Sequence, residues 1–596
     1  MDAERAPATD AAAALLGHLV ELGVRHLVVS PGSRSQALAL VAAELEARGL
    51  ASVHVRIDER VAGFTALGIG RESRMPAAVV CTSGTAVANL LPAALESHHA
   101  GVPMILLTAD RPPELRGVGA NQTTRQPGIF APNMRLEADL PVPEEVDTDA
   151  AGEQSAMLRQ VAVEAVAAAL GEGTRGAGPV HLNLPYREPL AGALPEWLGA
   201  PGPEAPGPGP DDAPVEAPPE PDPSGALYQG GGGIGESNVP TAPDVEPHVL
   251  VRGPRTIVIA GADAGPAAES LAHAGGWPLV AEIVSGSRFG RNLVHGYRGL
   301  LADEDLGGRV ERAIVFGHPT LSREVTALLS RPDVEVLAVR GPGEPLNLND
   351  ATTAVDAVVA AVGDIDRDWF GAWMRASRAA VVDLAPAAPD ADALASAVPK
   401  ERLGAIAAEL AAVRAPIDRA TLVDAVWRAT WPHDRLLFAS SRLVRVADQV
   451  LGGKKVPVHA NRGLAGIDGT IATGLGIALT SQAGGRAGVT RVLTGDLALL
   501  HDVGSLLLPE AEPAPRIQVI VGNDRGGTIF DGLEVARTAS AAAMERVLYT
   551  PQAVGISDLA AAYGWHYVAP TTRAELDQAL TAAVTGPQLI EVALPR

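Results

Sequence analysis

Short apolar runs alternate with amphipathic segments along the first part of the chain. The runs 26–30, 53–57, 77–81 and 104–108 have the length of buried strands, and helix-like periodicity fills the intervals between them. Strands that alternate with helices of about 10–15 residues are typical of parallel βαβ units. Because these runs are almost continuously apolar, we expect a sheet that is covered on both faces.

The same pattern returns twice further along the chain. It restarts at 256–260 and continues to about 384, and it restarts again before 436–439 and continues to 589–592. The sequence therefore predicts the α/β class, with three parallel-sheet domains of six strands each. The predicted boundaries are 1–196 for the first domain, 197–248 for a linker, 249–384 for the middle domain and 385–596 for the third domain.

The segment between the first two domains differs sharply in composition. Within 201–250, 22 of 50 residues are Pro or Gly, nine are acidic and none is Lys or Arg. Such a segment buries too little apolar surface to offset the entropy lost on ordering. We therefore interpret it as an acidic Pro/Gly-rich linker, which also carries part of the net negative charge.

Composition and charge exclude several classes of protein. The 596 residues are 47% apolar and 20% charged, and the formal net charge of −23 opposes general nucleic-acid binding. Cys81 is the only cysteine, so we expect no internal disulfide and a reducing, cytoplasmic location. We also expect no signal peptide and no membrane span, because the first residues lack a basic region and no apolar run reaches about 18 residues.

Two predicted strand ends in the third domain carry oxygen ligands. Gly495 and Asp496 follow the strand at 491–493, and Asn523 and Asp524 follow the strand at 517–521. Open parallel sheets bind ligands at the carboxyl ends of their strands. Two carboxylates there suit a divalent cation such as Mg²⁺, which commonly combines few carboxylates with phosphate oxygens. The alternative interpretation is that both motifs only make turns.

Two strand-to-helix junctions in the first domain complete the chemical pattern. Glu59 stands at the start of a predicted helix after the strand 53–57, and Gly84 lies in the junction 82–89. Taken alone, a glutamate at the start of a helix, such as Glu59, is most often a residue that only complements the helix dipole.

Together these features resemble the thiamine-diphosphate-dependent enzyme family, in which the protein positions a cofactor that carries the chemistry. At the second acidic motif the family usually has two asparagines, whereas this chain has Asp524, which keeps an oxygen ligand and adds a negative charge. The resemblance implies that Glu59 is catalytic and contacts the aminopyrimidine ring of the cofactor. It implies cofactor contacts from Pro31, Glu59, Gly84, Ile467, Gly495, Asp496 and Leu497. It implies Mg²⁺ or Mn²⁺ ligands from Asp496, Asp524 and Gly526.

Longer sequence motifs narrow the resemblance to one branch of that family. The motifs lie at 30–35, 108–115, 119–128 and 461–469, and they resemble the branch that joins 2-oxoglutarate to isochorismate in menaquinone biosynthesis. The implied reaction is a decarboxylating conjugate addition by a transferase. Both substrates carry extra carboxylates, which suits arginine because its planar fork pairs with them bidentately. The resemblance implies substrate contacts from Ser33, Arg34, Arg111, Gln122, Arg323, Ser441, Arg445 and Arg462.

The resemblance also implies a homo-oligomer, either a dimer or a tetramer, with the active site between chains. Two alternatives remain open at the level of sequence. One is another thiamine-diphosphate enzyme of acetolactate-synthase type, which would not need the set of arginines. The other is a non-catalytic nucleotide-binding or regulatory protein built on similar sheets.

Overall fold

The computed structural model describes residues 5–144, 148–173, 176–195, 246–385 and 390–596. Every paired strand in this part of the chain runs parallel to its neighbour, which confirms the α/β class. The predicted linker 197–248 lies almost wholly outside the described residues, and its interpretation stays a prediction.

The first sheet has six strands in the order β2-β1-β3-β4-β6-β5. Its strands are β1 His26–Val29, β2 Ser52–Val55, β3 Ala77–Cys81, β4 Met104–Asp110, β5 Leu136–Asp139 and β6 Pro179–Pro185. Its helices are α1 Pro7–Glu21, α2 Gln36–Ala47, α3 Glu59–Ser73, α4 Thr85–Asn89, α5 Leu91–Ala100 and α6 Thr148–Leu170. After β3 the chain forms two consecutive helices, and Pro92, which lacks the N–H needed inside a helix, stands in the first turn of the second one.

The middle sheet differs from the prediction of six strands. It has five strands in the order β12-β11-β10-β8-β9, and two further short strands, β13 and β7, pair separately. The strands are β7 His248–Leu250, β8 Thr256–Ala260, β9 Leu279–Ala281, β10 Arg312–Phe316, β11 Glu335–Val339, β12 Thr353–Val355 and β13 Val358–Ala360. The helices are α7 Ala267–Gly275, α8 Tyr297–Ala302, α9 Arg323–Leu329 and α10 Arg367–Ala379. Only two residues separate β12 from β13. This connection is too short to join parallel neighbours in one sheet, so β13 pairs with β7 instead.

The third sheet repeats the topology of the first. Its strand order is β15-β14-β16-β17-β19-β18, which equals the order in the first sheet when the strands of each sheet are counted from its own first strand. The strands are β14 Arg435–Phe438, β15 Val458–His459, β16 Thr490–Gly495, β17 Ile517–Asn523, β18 His566–Val568 and β19 Gln588–Ala593. The helices are α11 Ala391–Ala395, α12 Pro399–Val413, α13 Arg419–Ala429, α14 Arg442–Val450, α15 Thr470–Ser481, α16 Asp496–His501, α17 Val535–Thr538, α18 Ala541–Ala543, α19 Ile556–Ala562 and α20 Arg573–Thr581.

Helix α3 of the first domain packs against helix α15 of the third domain, and each helix has a glycine at the contact. A β-carbon on Gly68 would lie 2.1 Å from the carbonyl oxygen of Thr473, and one on Gly476 would lie 2.1 Å from that of Thr65. The two backbones therefore touch without intervening side chains. Every residue of α3 from Val61 to Arg71 is buried, as expected for a helix packed on both sides. This crossing fixes the orientation of the helix that begins with Glu59.

None of the helices in the described part of the chain is long and apolar enough to cross a membrane.

Candidate active site

The carboxyl ends of β1 and β3 meet at the point where the first sheet changes direction. From β1 the chain passes to β2 on one side, and β3 then pairs with β1 on the other side. Gly32, just after β1, lies so close to Thr82, just after β3, that a β-carbon on Gly32 would be 2.3 Å from the Thr82 β-carbon. A crevice of this kind is where doubly wound sheets bind ligands. Pro31 and Ser33, which flank Gly32, are exposed there.

Arg34 and Arg111 form a pair of buried guanidinium groups beside this crevice. Arg34 donates to the carbonyl of Tyr186 at 3.1 Å, and Arg111 donates to the hydroxyl of Ser83 at 2.9 Å. Burial, and then the charge of Arg111, lower the pKa of Arg34. The Arg34 Nε is buried without a hydrogen-bond partner. Two adjacent buried cations with an unused donor make a site for an anion.

Gln122 and Gly84 lie on the same edge. The side chain of Gln122 donates to the carbonyl of Ser83 at 3.0 Å, and the Ser83 hydroxyl donates back to the carbonyl of Gln122 at 2.9 Å. Gln122 has a φ of 54°, and Gly84, with a φ of 84°, packs against its side chain. A non-glycine residue in the left-handed region is uncommon and is often found at functional sites.

Glu59 begins α3 and is half-buried. The preceding residue, Asp58, caps the helix by accepting from the backbone N–H groups of Arg60 and Val61. Burial raises the pKa of the Cys81 thiol, and the nearby carboxylate of Glu59 adds to that rise. Glu59 therefore lies beside the last residue of β3, which brings it to the same edge of the sheet as the Arg34–Arg111 pair.

Asp496 and Asp524 follow neighbouring strands of the third sheet, as predicted. In the register of β16 with β17, Gly495 is paired with Gly522. Burial raises the pKa of Asp496, the charge of Asp524 adds to this rise, and backbone N–H groups of Leu497 and Gly526 oppose it. The two carboxylates are therefore close enough to repel each other, which favours a cation between them.

The loop after Asp524 is shaped by a glycine. Gly526 has a φ of 130°, and a β-carbon there would lie 2.2 Å from the carbonyl oxygen of Tyr549. Only glycine fits, and its backbone lies close to the acidic pair. No group of three or more His, Cys, Asp or Glu side chains gathers as a metal site in the described ranges. A cation here must therefore take other oxygens in addition to the two carboxylates.

Arg419 and Thr528 are site residues that the sequence did not reveal. Arg419 lies 2.7 Å from the Asp524 carboxylate, and the hydroxyl of Thr528 donates to the same oxygen. Arg419 follows Asp418, the N-cap of α13, and lies 105 residues from its partner, so no local pattern marks it.

A second group of predicted residues lies between the third and middle domains. Ser441 caps α14 by accepting from the N–H of Leu443, and its carbonyl accepts from Arg445 at 3.0 Å. Arg462 is buried and donates to the hydroxyl of Ser440 at 3.1 Å. Burial lowers the pKa of both Arg445 and Arg462. Ile467 exposes 39% of its surface, and its proposed contact with the cofactor stays a prediction.

Arg323 is the least enclosed of the predicted residues. It begins α9, its side chain is 72% exposed, and it pairs with Glu534 at 2.9 Å. Glu534 follows the loop that carries Asp524, so Arg323 faces the third domain. Its proposed contact with substrate stays a prediction.

The predicted residues thus form two groups within one chain. One comprises Pro31, Ser33, Arg34, Glu59, Gly84, Arg111 and Gln122, and the other comprises Arg323, Ser441, Arg445, Arg462, Ile467, Gly495, Asp496, Leu497, Asp524 and Gly526. Across the part of the chain that the structure describes, none of the hydrogen bonds or ion pairs joins a residue of one group to a residue of the other.

Comparison with known proteins first defines the class. Residues 9–129 match the family model of the thiamine pyrophosphate enzyme, N-terminal TPP binding domain. This range spans β1 to β4 and includes the Arg34–Arg111 pair and Glu59. Thiamine diphosphate is therefore the cofactor of the class that this fold and site define.

Relatives that match almost the whole chain then define the family. The chain is 54% identical to the 2-succinyl-5-enolpyruvyl-6-hydroxy-3-cyclohexene-1-carboxylate synthase of Leifsonia xyli subsp. xyli, over 99% of this chain and 97% of the relative. The synthases of Clavibacter michiganensis and Kineococcus radiotolerans are 54% and 42% identical, over 99% of this chain and 97% and 96% of their own lengths. The chain belongs to the 2-succinyl-5-enolpyruvyl-6-hydroxy-3-cyclohexene-1-carboxylate synthase family of thiamine-diphosphate-dependent enzymes.

Proposed function

We propose that this protein decarboxylates 2-oxoglutarate and adds the remaining succinyl unit to the ring of isochorismate. The product is the compound named in its relatives, an intermediate of menaquinone biosynthesis. One observation carries the substrate assignment: Arg34, Arg111, Arg445 and Arg462 are buried or half-buried, and none has a carboxylate within 4.0 Å in the described ranges. Each substrate carries two carboxylates. The two substrates together therefore bring as many carboxylates as there are guanidinium groups in this set of four arginines.

The arginines bind and orient the substrates. A carboxylate that enters the Arg34–Arg111 pair relieves the repulsion between the two cations and satisfies the unpartnered Nε of Arg34. Ser33 and Gln122 lie on the rim of the same crevice and supply polar contacts. Arg445, Arg462 and Ser441 offer a second binding surface, with Arg323 at its edge.

Thiamine diphosphate, when bound, supplies the electron sink for loss of carbon dioxide and the nucleophilic carbon for the addition. Glu59 would hold a proton against the pyrimidine ring nitrogen, a role that its place at the crevice of the first sheet supports. Pro31 and Gly84 would line the pyrimidine end of the cofactor, whereas Ile467, Gly495 and Leu497 would contact it from the third domain.

The acidic pair of the third domain fits a divalent cation. Asp496, Asp524 and the carbonyl of Gly526 would hold Mg²⁺ or Mn²⁺, and diphosphate oxygens would complete the oxygen ligands that such ions require. Burial is the main cause of the raised pKa of Asp496, and cation binding would relieve the smaller contribution that comes from the charge of Asp524. It also requires Arg419 to share or release the Asp524 oxygen that it contacts.

We further propose that the active site forms between two chains of a homodimer or tetramer. The placement of the predicted residues at the edges of two different sheets supports this arrangement, because a cofactor with two ends needs both edges. A cytoplasmic location is proposed on the grounds that Cys81 is lone and buried, so the fold needs no oxidising compartment.

The direct test is an assay of the purified full-length protein with thiamine diphosphate, Mg²⁺, 2-oxoglutarate and isochorismate. We expect loss of isochorismate coupled to release of carbon dioxide. We also expect chelation by EDTA to abolish turnover, and added Mg²⁺ or Mn²⁺ to restore it. Preferential use of pyruvate would instead support an enzyme of acetolactate-synthase type.

A further inference from the structure

Thr320 of the middle domain hydrogen-bonds Arg462, a predicted substrate-binding residue of the third domain. The hydroxyl of Thr320 accepts from Arg462 Nε at 2.9 Å and from Arg462 Nη2 at 2.7 Å. The carbonyl of Thr320 accepts from the same Nη2 at 3.3 Å. These two residues lie 142 positions apart and belong to different domains.

Thr320 is itself held in place by a buried carboxyl group. Glu282, directly after β9, is fully buried, and its Oε1 accepts from the backbone N–H of Thr320 at 2.8 Å and of Leu321 at 2.6 Å. Both hydrogen bonds hold the turn before α9, so the backbone that carries the Thr320 hydroxyl is fixed in position. The chain of contacts therefore runs from Glu282 through Thr320 to Arg462.

These contacts occupy one edge of the Arg462 guanidinium and part of its other side, and so fix its orientation. Thr320 occupies the edge between Nε and Nη2, and Ser440 contacts Nη1. Arg462 is 3% exposed and has no carboxylate within 4.0 Å among the residues that the structure describes. A long side chain without an ion pair loses much rotamer entropy when it is held in one conformation, and here neutral oxygens hold it.

We propose that Thr320 is a positioning residue for substrate binding, which orients the guanidinium of Arg462 toward a substrate carboxylate. This inference rests on the proposed function, in which Arg462 binds substrate. It gives the middle domain a second part in substrate binding, beside the proposed contact of Arg323. Glu282 supports that part by fixing the turn.

The chain allows a matched pair of substitutions at this position. Thr320→Val keeps the shape of the side chain and removes the hydroxyl, whereas Thr320→Ser keeps the hydroxyl and removes only a methyl group. Thr320→Ala is a second variant without a hydroxyl, for use if valine disturbs folding. Thermal melting of each full-length variant establishes that the fold is intact.

The test compares these variants with Arg462→Ala by steady-state kinetics with both substrates. Arg462→Ala identifies the substrate whose KM depends on the guanidinium. We expect Thr320→Val to raise the KM of that same substrate by about tenfold or more, the usual effect of losing a hydrogen bond to a charged group. We expect the KM of the other substrate to stay within about twofold, and Thr320→Ser to restore wild-type behaviour.

A double variant separates positioning from general damage. If Thr320 acts through Arg462, Thr320→Val adds almost nothing in the Arg462→Ala background, because the interaction is already lost. Effects that multiply in the double variant, a raised KM for the other substrate, or unchanged kinetics in Thr320→Val and Thr320→Ala would each overturn the proposal. A wild-type protein that is inactive with both substrates would overturn the proposed function first, and this inference with it.

Discussion

Glu59 reaches the crevice of the first sheet because its helix begins directly at the edge of that sheet. Asp58 already caps α3, so Glu59 is not needed to satisfy the first N–H groups of the helix. The place of the half-buried Glu59 at that edge agrees with its proposed role toward the cofactor.

We expect Glu59→Gln to lower kcat by roughly 100-fold or more, because proton transfer by a positioned side chain contributes about that factor. The melting temperature should stay close to that of the wild type. Kinetics with saturating thiamine diphosphate, together with thermal melting, measure both quantities. Glu304→Gln, at an exposed position, is the matched control and should change neither. Turnover near the wild-type rate in Glu59→Gln would remove the assigned role.

Glu282 links stability to pH. Burial, and then the charge of Asp448, raise its pKa from 4.5 to about 8. Between these two values the unfolded chain releases the proton while the folded chain keeps it, so the contribution of Glu282 to stability falls as pH rises through this window. Below pH 4.5 both states are protonated, and above about pH 8 both are ionised, so the loss is complete.

Glu282→Gln should remove this dependence while it keeps the oxygen that accepts from Thr320 and Leu321. We expect the melting temperature of the variant to rise relative to that of the wild type by roughly 5 °C between pH 5 and pH 8. Melting curves of both proteins at three pH values provide the measurement. Parallel curves at all three values would contradict the assigned ionisation.

At the scale of elements, the crossing of α3 and α15 depends on the absence of side chains at Gly68 and Gly476. A β-carbon on Gly68 would also lie 3.0 Å from the α-carbon of Gly476, so the helices must separate to admit it. Separation would shift the start of α3, where Glu59 lies, relative to the third domain.

We therefore expect Gly68→Ala to destabilise the protein by about 2–3 kcal/mol, as overpacked sites do, and to lower activity. Gly404→Ala is the matched control, because Gly404 lies within α12 with nothing within 4 Å of the added methyl group. There the substitution should stabilise the helix by about 0.5–1 kcal/mol. Thermal melting of the two variants measures the contrast, and equal shifts would show that the crossing is not tightly packed.

The sequence predicted those parts of the fold that depend on local pattern. The apolar runs located the main strands, and parallel pairing was enough to bring Asp496 and Asp524 together. The five-stranded middle sheet was missed because strands such as Thr353–Val355 are too short to show a period. The contacts of Arg419 with Asp524 and of Thr320 with Arg462 were missed because each joins residues more than a hundred positions apart.

At the scale of the whole molecule, two sheets of identical topology present their carboxyl edges in one chain. The first carries Glu59 and the Arg34–Arg111 pair, and the third carries Asp496 and Asp524. A cofactor with a pyrimidine at one end and a diphosphate at the other needs both edges at once. In the proposed assembly, the first sheet of one chain faces the third sheet of its partner, and a dimer holds two such sites related by symmetry.

Mixing two inactive variants tests this arrangement. We expect Glu59→Gln and Asp524→Ala each to be inactive alone. If sites form between chains, a dimer with one copy of each variant has one doubly altered site and one intact site. Co-expression in equal amounts makes half of the dimers mixed, so activity should recover to about one quarter of the wild-type value. If each site lay within one chain, every site would carry one alteration, and the mixture would stay inactive.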